Sequence, residues 1–450
     1  MKAFSILLFY IYFIVGIVIA NDYNSCIIEL NPNKTLDSQI NKKGTTYLIR
    51  NKFDLNGSSY KLPQNITLIF ENGLITNGEI IFDKTKLINP SFEKMRFKGS
   101  VNEEKFIITN YGAKSGRDMD CSIIINDLIK LQNVPNLQRN SKTIYIPNGT
   151  FYIDNPIILF AGWEAPIVLE GNGITSTLCQ RKNNEHIIKI YENHHIKNLN
   201  LVYKNKQSFK NSKSIAIACQ RAIFCQFENI TISKANTGFG YISIAEANKD
   251  NLTKIKDQAY VSCNFRNIRI YEFSNYAFDF NKEINQGDSG SVFDNIYINS
   301  NSWLNNSNTN IAKGAIRGFN SVIVITQINI EGDNYTNALI ELKGMSRISA
   351  KTLHLEGLKQ IPTIIRAQIQ SIASFDIIDI QRCSYELKHY ALIVENKSFV
   401  SINHLLLRED CIISNSQHKA KLINHSTPLK SARHRINYIL DPNNIYNRTH

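Results

Sequence analysis

The phrase ITQINIEG closes at Gly332, AKTLHLEG at Gly357 and FDIIDIQR at Arg382, two successive intervals of 25 residues. Apolar and polar residues alternate within each phrase. Ile328 and Ile330 alternate with Asn329 and Glu331, Leu353 and Leu355 with His354 and Glu356, and Ile378 and Ile380 with Asp379 and Gln381. A period of two is the pattern of a strand with one face buried. A related phrase recurs upstream as FENITI, FRNIRI and FDNIYI, starting at Phe227, Phe265 and Phe293, and His195–Leu201 is a looser copy. Short strands and turns repeating near 25 residues, with almost no helix between them, specify a solenoid. Leucine-rich spacing is absent, and a propeller blade needs a longer period with antiparallel hairpins. What remains is a parallel β-helix, one coil per repeat, its coils ~4.8 Å apart. Insertions can leave such a stack at its turns, which accounts for the unequal upstream intervals, 265 − 227 = 38 and 293 − 265 = 28.

Stacking turns sequence intervals into columns. Asn229, Asn267 and Asn295 hold one place in FxNIxI. Asn tolerates a left-handed turn, and its amide can bond to the next coil, so the expectation is a ladder that holds the fold and is not a site.

The segment FIITNYGAKSGRDMDCSIIINDLIKL, followed by KTIYIPNGTFYIDNPIIL and IVLEGNG, resembles the opening of the pectate-lyase superfamily of β-helix proteins. The likeness lies in Tyr111–Lys114, Asp118 and Asp120, the helical Ser122–Leu131, Thr143–Ile146 and Pro147–Tyr152, and is specific over about residues 106–175. The earlier FDLNGSSYKLPQNITLIFENGLITNG resembles an N-terminal segment common among some members. The resemblance implies an all-β, right-handed parallel β-helix solenoid with a short N-terminal capping helix. It also implies work on a polysaccharide, since the family includes polygalacturonase-like hydrolases, lyases, epimerases and tailspike depolymerases. The Asn-Thr-Asp, Asp-Asp, Gly-His-Gly and Arg-Ile-Lys motifs of the polygalacturonase branch are absent in that order, and a fold does not by itself specify an activity. In the helix, Ile123, Ile124, Leu128 and Ile129 are expected on one buried stripe, with Ser122 capping the start and Asp120 near the positive end.

The first twenty residues suggest export. Lys2 precedes an apolar run to Ile19, and Val18 and Ala20 are small residues before the polar NDYNS; this reads as a signal peptide over 1–20. The expected layout is then a β-rich segment over 21–105, the β-helix over 106–430 and a tail over 431–450, secreted or periplasmic, with no membrane span once the leader is removed. Eight cysteines are scattered without a CxxC pair, which excludes the usual zinc spacings. Export permits disulfides, but a chain this long does not need them, and several cysteines are expected to point into the core as small apolar residues; Cys219 with Cys225 is the first pair to check for a bridge. The net charge of +13 suits a polyanionic partner. No basic helix or nucleic-acid motif is present, so an acidic, uronate-containing polysaccharide is expected over nucleic acid. No EF-hand loop occurs and no cofactor is expected, with Ca²⁺ left open for the case of a lyase. GDSG at Gly287–Gly290 reads as a turn, without the strand–Ser–helix elbow of a hydrolase.

Two outward columns carry candidate chemistry. Glu331 stacks over Glu356, with His354 beside them, and like charges one coil apart push one carboxyl pKa up, as acid/base pairs require. Ten residues on, Glu341 stacks with Arg317 before it and Arg366 after it, and Asp279 holds the equivalent earlier place. Such a ladder could grip a uronate, with Arg366 as the base of an elimination, or could only relieve charge between coils. Trp303, in SNSWLNNSNTN, is the candidate sugar platform. The reading is therefore catalytic Glu331, Glu356, His354 and Arg366, with Asp279, Arg317, Glu341 and Trp303 binding substrate. A non-catalytic glycan-binding or adhesive β-helix is the alternative, and oligomeric state is left open.

Overall fold

The computed structural model describes residues 27–133, 142–160, 166–208, 210–211, 213–249, 258–282, 290–301, 311–332, 334–361, 363–382, 384–387, 392–394, 397–407, 411–415 and 420–424. The expected leader over 1–20 and tail over 431–450, with Trp303, Cys26, Cys383 and most of GDSG, lie outside the described residues. The chain divides into two compact units, Met1–Ala113 with Lys130–Gln138, and Lys114–Ile129 with Arg139–His450.

The first unit is a stack of parallel strands. Ile27–Glu29, Thr46–Ile49, Thr67–Phe70, Leu74–Ile88, Phe92–Val101 and Gln132–Asn133 pair in that order. Tyr47 registers with Leu68, and Leu68 with Leu87. Asn56, Asn65, Asn72, Asn77 and Asn89 take positive φ here, a conformation that Asn tolerates better than most residues. Phe70, Phe92, Phe97 and Tyr111 fill the interior with ring centroids 5.1 to 5.6 Å apart.

The second unit is the parallel β-helix that the repeat predicts. Its long-strand sheet runs through Lys142–Tyr145, Ile167–Glu170, His195–Tyr203, Gln226–Ser233, Asn264–Tyr271, Ser291–Asn299, Val322–Glu331, Arg347–Glu356, Ile372–Gln381 and Phe399–Leu407. A narrow sheet runs through Ile157–Leu159, Ile188–Tyr191, Ile215–Ile223, Thr237–Tyr241, Tyr276–Phe280, Gly314–Phe319, Ile340–Lys343, Ile365–Ala367 and Leu392–Val394. A third, short sheet starts at Ile311–Ala312 and ends in the antiparallel pair of Cys411–Asn415 with Ala420–Asn424. The 25-residue interval is the register: Ile328 pairs with Leu353 and Leu353 with Ile378, and Glu331 pairs with Glu356 and Glu356 with Gln381. Ile328 and Leu353 are fully buried, as the alternation requires. Within the core Phe227, Phe265 and Phe293 stack coil over coil, with centroids 4.8 and 4.3 Å apart.

The amide ladder forms, one rung longer than predicted. Asn229 Nδ2 donates to Asn198 Oδ1 at 2.9 Å, Asn267 to Asn229 at 2.8 Å and Asn295 to Asn267 at 2.7 Å, all four residues at φ between 53° and 58°.

The capping helix spans Ser122–Lys130 and differs in two details from its prediction. Ile123 faces out, and Ile125 takes its place beside Ile124, Leu128 and Ile129 in the buried stripe, because at 3.6 residues per turn Ile125 falls within their arc and Ile123 outside it. The cap acceptor is Asp120, whose Oδ1 accepts from Ser122 N at 3.0 Å and Ser122 Oγ at 2.5 Å; Ser122 is a donor there. Asp120 also accepts from Asp154 N and Asn155 Nδ2, which ties the helix start to the next turn. Asn126 covers the edge of the narrow sheet, accepting from Ile158 N and donating to Pro156 O, both at 2.9 Å. Edge strands need such a cover.

Cys219 and Cys225 are both free and buried, so they form no disulfide. Cys225 Sγ instead donates to Glu192 O at 2.8 Å and accepts from His194 N at 3.4 Å. Later corners use serine in the same way, Ser346 Oγ accepting from Ser321 N and Ser398 Oγ from Ser371 N. The cysteine is a corner residue small enough to turn inward.

Candidate active site

The candidates separate onto two sheets. At the ends of the long strands one outward column runs Tyr271, Asn299, Glu331, Glu356, Gln381, and its neighbour runs Arg269, Tyr297, Asn329, His354, Asp379. Strand alternation sends both columns outward, and the parallel register places each member one coil from the next. The Tyr297 hydroxyl donates to Glu331 Oε2 at 2.6 Å, and Asn299 Nδ2 donates to that oxygen and to Tyr297 Oη, each at 3.2 Å. His354 lies between two carboxylates, Nδ1 3.2 Å from Asp379 Oδ2 and Nε2 3.3 Å from Glu356 Oε2. Gln381 Nε2 donates to the same Asp379 oxygen at 3.1 Å, and the largely exposed Arg382 meets Glu356 Oε1 at 3.2 Å.

Electrostatics distinguish the two glutamates. Burial raises the Glu331 carboxyl pKa; the Tyr297 bond and His354 pull it down, the Glu356 charge adds to the rise, and the net direction is up. Burial, and then Glu331 itself, push the Tyr297 phenol well above its ordinary value, so its proton is held in the bond to Glu331. Glu356 has one oxygen toward His354 and the other toward Arg382, a geometry that fixes the plane of a carboxylate.

On the narrow sheet Asp279 pairs with Arg317, Arg317 with Glu341 and Glu341 with Arg366, in the predicted order. Arg317 grips Asp279 with two bonds, Nε to Oδ1 at 2.8 Å and Nη2 to Oδ2 at 2.5 Å, and its guanidinium lies 4.7 Å from the centre of the Tyr276 ring. Glu341 points outward as its register requires, yet is only 4% exposed. Its Oε2 accepts from the Tyr276 hydroxyl at 2.7 Å, and its Oε1 meets Lys343 Nζ at 2.9 Å. Burial works to raise the Glu341 pKa, but Tyr276, Lys343 and Arg317 together outweigh it and the net direction is down. Arg366 makes no ion pair among the described residues.

Register therefore brings Glu331, Glu356 and His354 together, and separately Asp279, Arg317, Glu341 and Arg366. Tyr297, Asn299 and Tyr276 are site residues that the intervals alone did not select. Tyr297 reaches Glu331 across 34 residues and Tyr276 reaches Glu341 across 65, neither a multiple of the repeat. Among the described residues no group of three or more His, Cys, Asp or Glu side chains is arranged to hold a metal ion, and no helix is long and apolar enough to cross a membrane.

No protein-family model matches the chain, and no curated protein matches it in sequence. Solved structures similar to it include the gp42 tailspike of Acinetobacter phage vb_AbaP_AS12, with a TM-score of 0.41 and 8% identity over 74% of this chain and 67% of that one. ORF18 of Geobacillus virus E2 follows with a TM-score of 0.37 and 10% identity over 70% of this chain and 61% of that one. The receptor-binding protein of bacteriophage Det7, a podoviral tailspike in a myovirus, has a TM-score of 0.21 and 11% identity over 88% of this chain and 78% of that one. The β-helix itself is established by this chain's own strand register.

Proposed function

We propose that the protein is a secreted or periplasmic carbohydrate-active β-helix that hydrolyses an acidic, uronate-containing polysaccharide at the Glu331–Glu356 face. The observation that carries this reading is a pair of carboxylates on adjacent coils, one with its pKa raised and the other oriented by His354 and Arg382. One coil is ~4.8 Å, close to the ~5–5.5 Å that separates the carboxyls of retaining glycosidases. Glu331, protonated, gives its proton to the glycosidic oxygen as the bond to the anomeric carbon breaks. Glu356 attacks that carbon as nucleophile, and Glu331 then deprotonates the water that releases the sugar. His354, held by Asp379, positions Glu356. The cations that would meet a uronate carboxylate are Arg382 and Arg269, both on this face.

Elimination is the second reading, and it is favoured by one observation: Arg366, at the end of the narrow ladder, is a cation with no ion pair among the described residues. Incubating the purified protein with a panel of polyuronates, with and without calcium, separates the two. New reducing ends without absorbance in the unsaturated-uronate band support hydrolysis. Absorbance together with reducing ends would move the chemistry to Arg366. Retention on a glycan column without any turnover would replace the enzyme with a binding protein.

A further inference from the structure

The interval of 38 residues between Phe227 and Phe265 exceeds the 25-residue coil, and part of the excess builds a short helix, Ile244–Lys249, over the outer face of the narrow sheet. The outward column there runs Lys189, Ala218, Gly240 before it reaches Asp279. The small side chains at Ala218 and Gly240 make room, and Ala247 packs with Tyr191, Ala218 and Ile242 in a buried apolar cluster. Glu246 is the polar anchor of the helix. Its Oε2 is 3.2 Å from His186 Nε2 and its Oε1 is 2.7 Å from Lys189 Nζ, with both partners almost fully buried.

Beside this anchor lies a cavity of about 260 Å³, whose wall includes Glu185, Lys189, Lys213, Ser243, Glu246 and Lys249. It is smaller than the ~300–1,000 Å³ of pockets for drug-sized ligands, so its occupant is a single small unit. Both oxygens of Glu246 are already engaged, which leaves the carboxylate poorly placed to recruit a cation. The ammonium groups of Lys213 and Lys249 make no ion pair among the described residues. The Glu185 carboxylate, likewise without an ion pair there, disfavours a bare multivalent anion such as phosphate but suits a hydroxyl donor. A ligand that carries one carboxylate and several hydroxyls meets every one of these requirements.

We propose that this cavity is a binding pocket for one hexuronate unit, its carboxylate held by Lys213 and Lys249 and its hydroxyls by Glu185 and Ser243. The pocket is separate from the Glu331–Glu356 face and would give the protein a second hold on an acidic glycan. The test is titration of the full chain with galacturonate and glucuronate by ligand-observed NMR, with neutral galactose and inorganic phosphate as comparison probes. Wild type and a Glu331→Gln/Glu356→Gln variant are expected to bind uronate alike and to ignore galactose. A Lys213→Ala/Lys249→Ala variant is expected to bind about fivefold to tenfold more weakly, the sum of two exposed charge contacts. Both lysines are exposed, so the variant should melt with wild type. Equal binding by wild type and the lysine variant overturns the proposal. So does binding of galactose or phosphate as tight as that of uronate, or loss of binding in the glutamate variant alone.

Discussion

Glu331 and Glu341 are the same residue type, ten positions apart, each outward on a registered strand, and each accepts a tyrosine hydroxyl at 2.6 to 2.7 Å. Their pKa values nevertheless move in opposite directions. Burial acts to raise both. Around Glu341 an ammonium, a guanidinium and a phenol more than compensate, and the carboxylate stays charged inside a closed network. Around Glu331 the Tyr297 bond and His354 do not outweigh burial, and the stacked Glu356 adds to the rise. The lesson is that the partners gathered around each carboxyl set the sign: Tyr276 and Lys343, ahead of the stacked Arg317, outweigh burial at Glu341, while burial prevails at Glu331.

The largest effect expected from breaking the brace is on stability. Arg317→Ala leaves the Asp279 carboxylate without its bidentate partner and should cost about 3 kcal/mol in urea unfolding. Replacing both, Asp279→Leu with Arg317→Met, should recover most of that loss, since well-packed apolar pairs can replace buried ion pairs. Elsewhere in the same unit Asn267→Ala removes two ladder bonds and forces alanine into a left-handed turn, for about 2 kcal/mol. Asn267→Gly should cost less, because it keeps the turn. A smaller effect sharpens the other column. Tyr297→Phe removes a bond that stabilises charged Glu331, so the carboxyl pKa rises further and the alkaline limb of the pH–rate profile moves to higher pH by up to about one unit. An unmoved limb would detach Glu331 from that limb.

The smallest effect is on stability against pH, and its sign separates the two glutamates. Glu341 has a lowered folded pKa, so its contribution is present above the ordinary glutamate value of about 4.3 and is lost as pH falls through the lowered value. Glu331 has a raised folded pKa, so its contribution is full below about 4.3 and is lost as pH rises through the raised value. Glu341→Gln should therefore lose stability relative to wild type at neutral pH, and Glu331→Gln should gain. Thermal melts of the three proteins from pH 4 to 8 check both signs.

Much of this was legible in the sequence, because a solenoid writes its contacts as intervals. The 25-residue phrase gave the stacking of Glu331 on Glu356 and of Glu341 on Arg366 directly. The Asn ladder was legible for the same reason, although Asn198 was missed because the phrase around it is looser. The tyrosines were not legible, since each reaches its glutamate across coils of unequal length. The buried stripe takes Ile125 and leaves Ile123 out because 3.6 residues per turn set the arc of Ile124, Leu128 and Ile129, and a count of apolar residues does not. The burial of cysteines such as Cys219 and Cys225 as small apolar residues was legible, since a chain of this length does not need bridges. The helical insertion over Lys189 was visible only as an overlong interval.

The most direct test of the central claim compares initial rates of reducing-end formation, on the best polyuronate, for wild type, Glu331→Gln, Glu356→Gln and Glu341→Gln, each first checked for folding by circular dichroism. Glu331→Gln and Glu356→Gln are expected to lose at least about a hundredfold in rate with the fold intact, while Glu341→Gln keeps its rate within a few-fold and loses only stability. Full activity in Glu331→Gln and Glu356→Gln, with turnover abolished in a folded Glu341→Gln, would contradict that claim and place the chemistry on the narrow sheet.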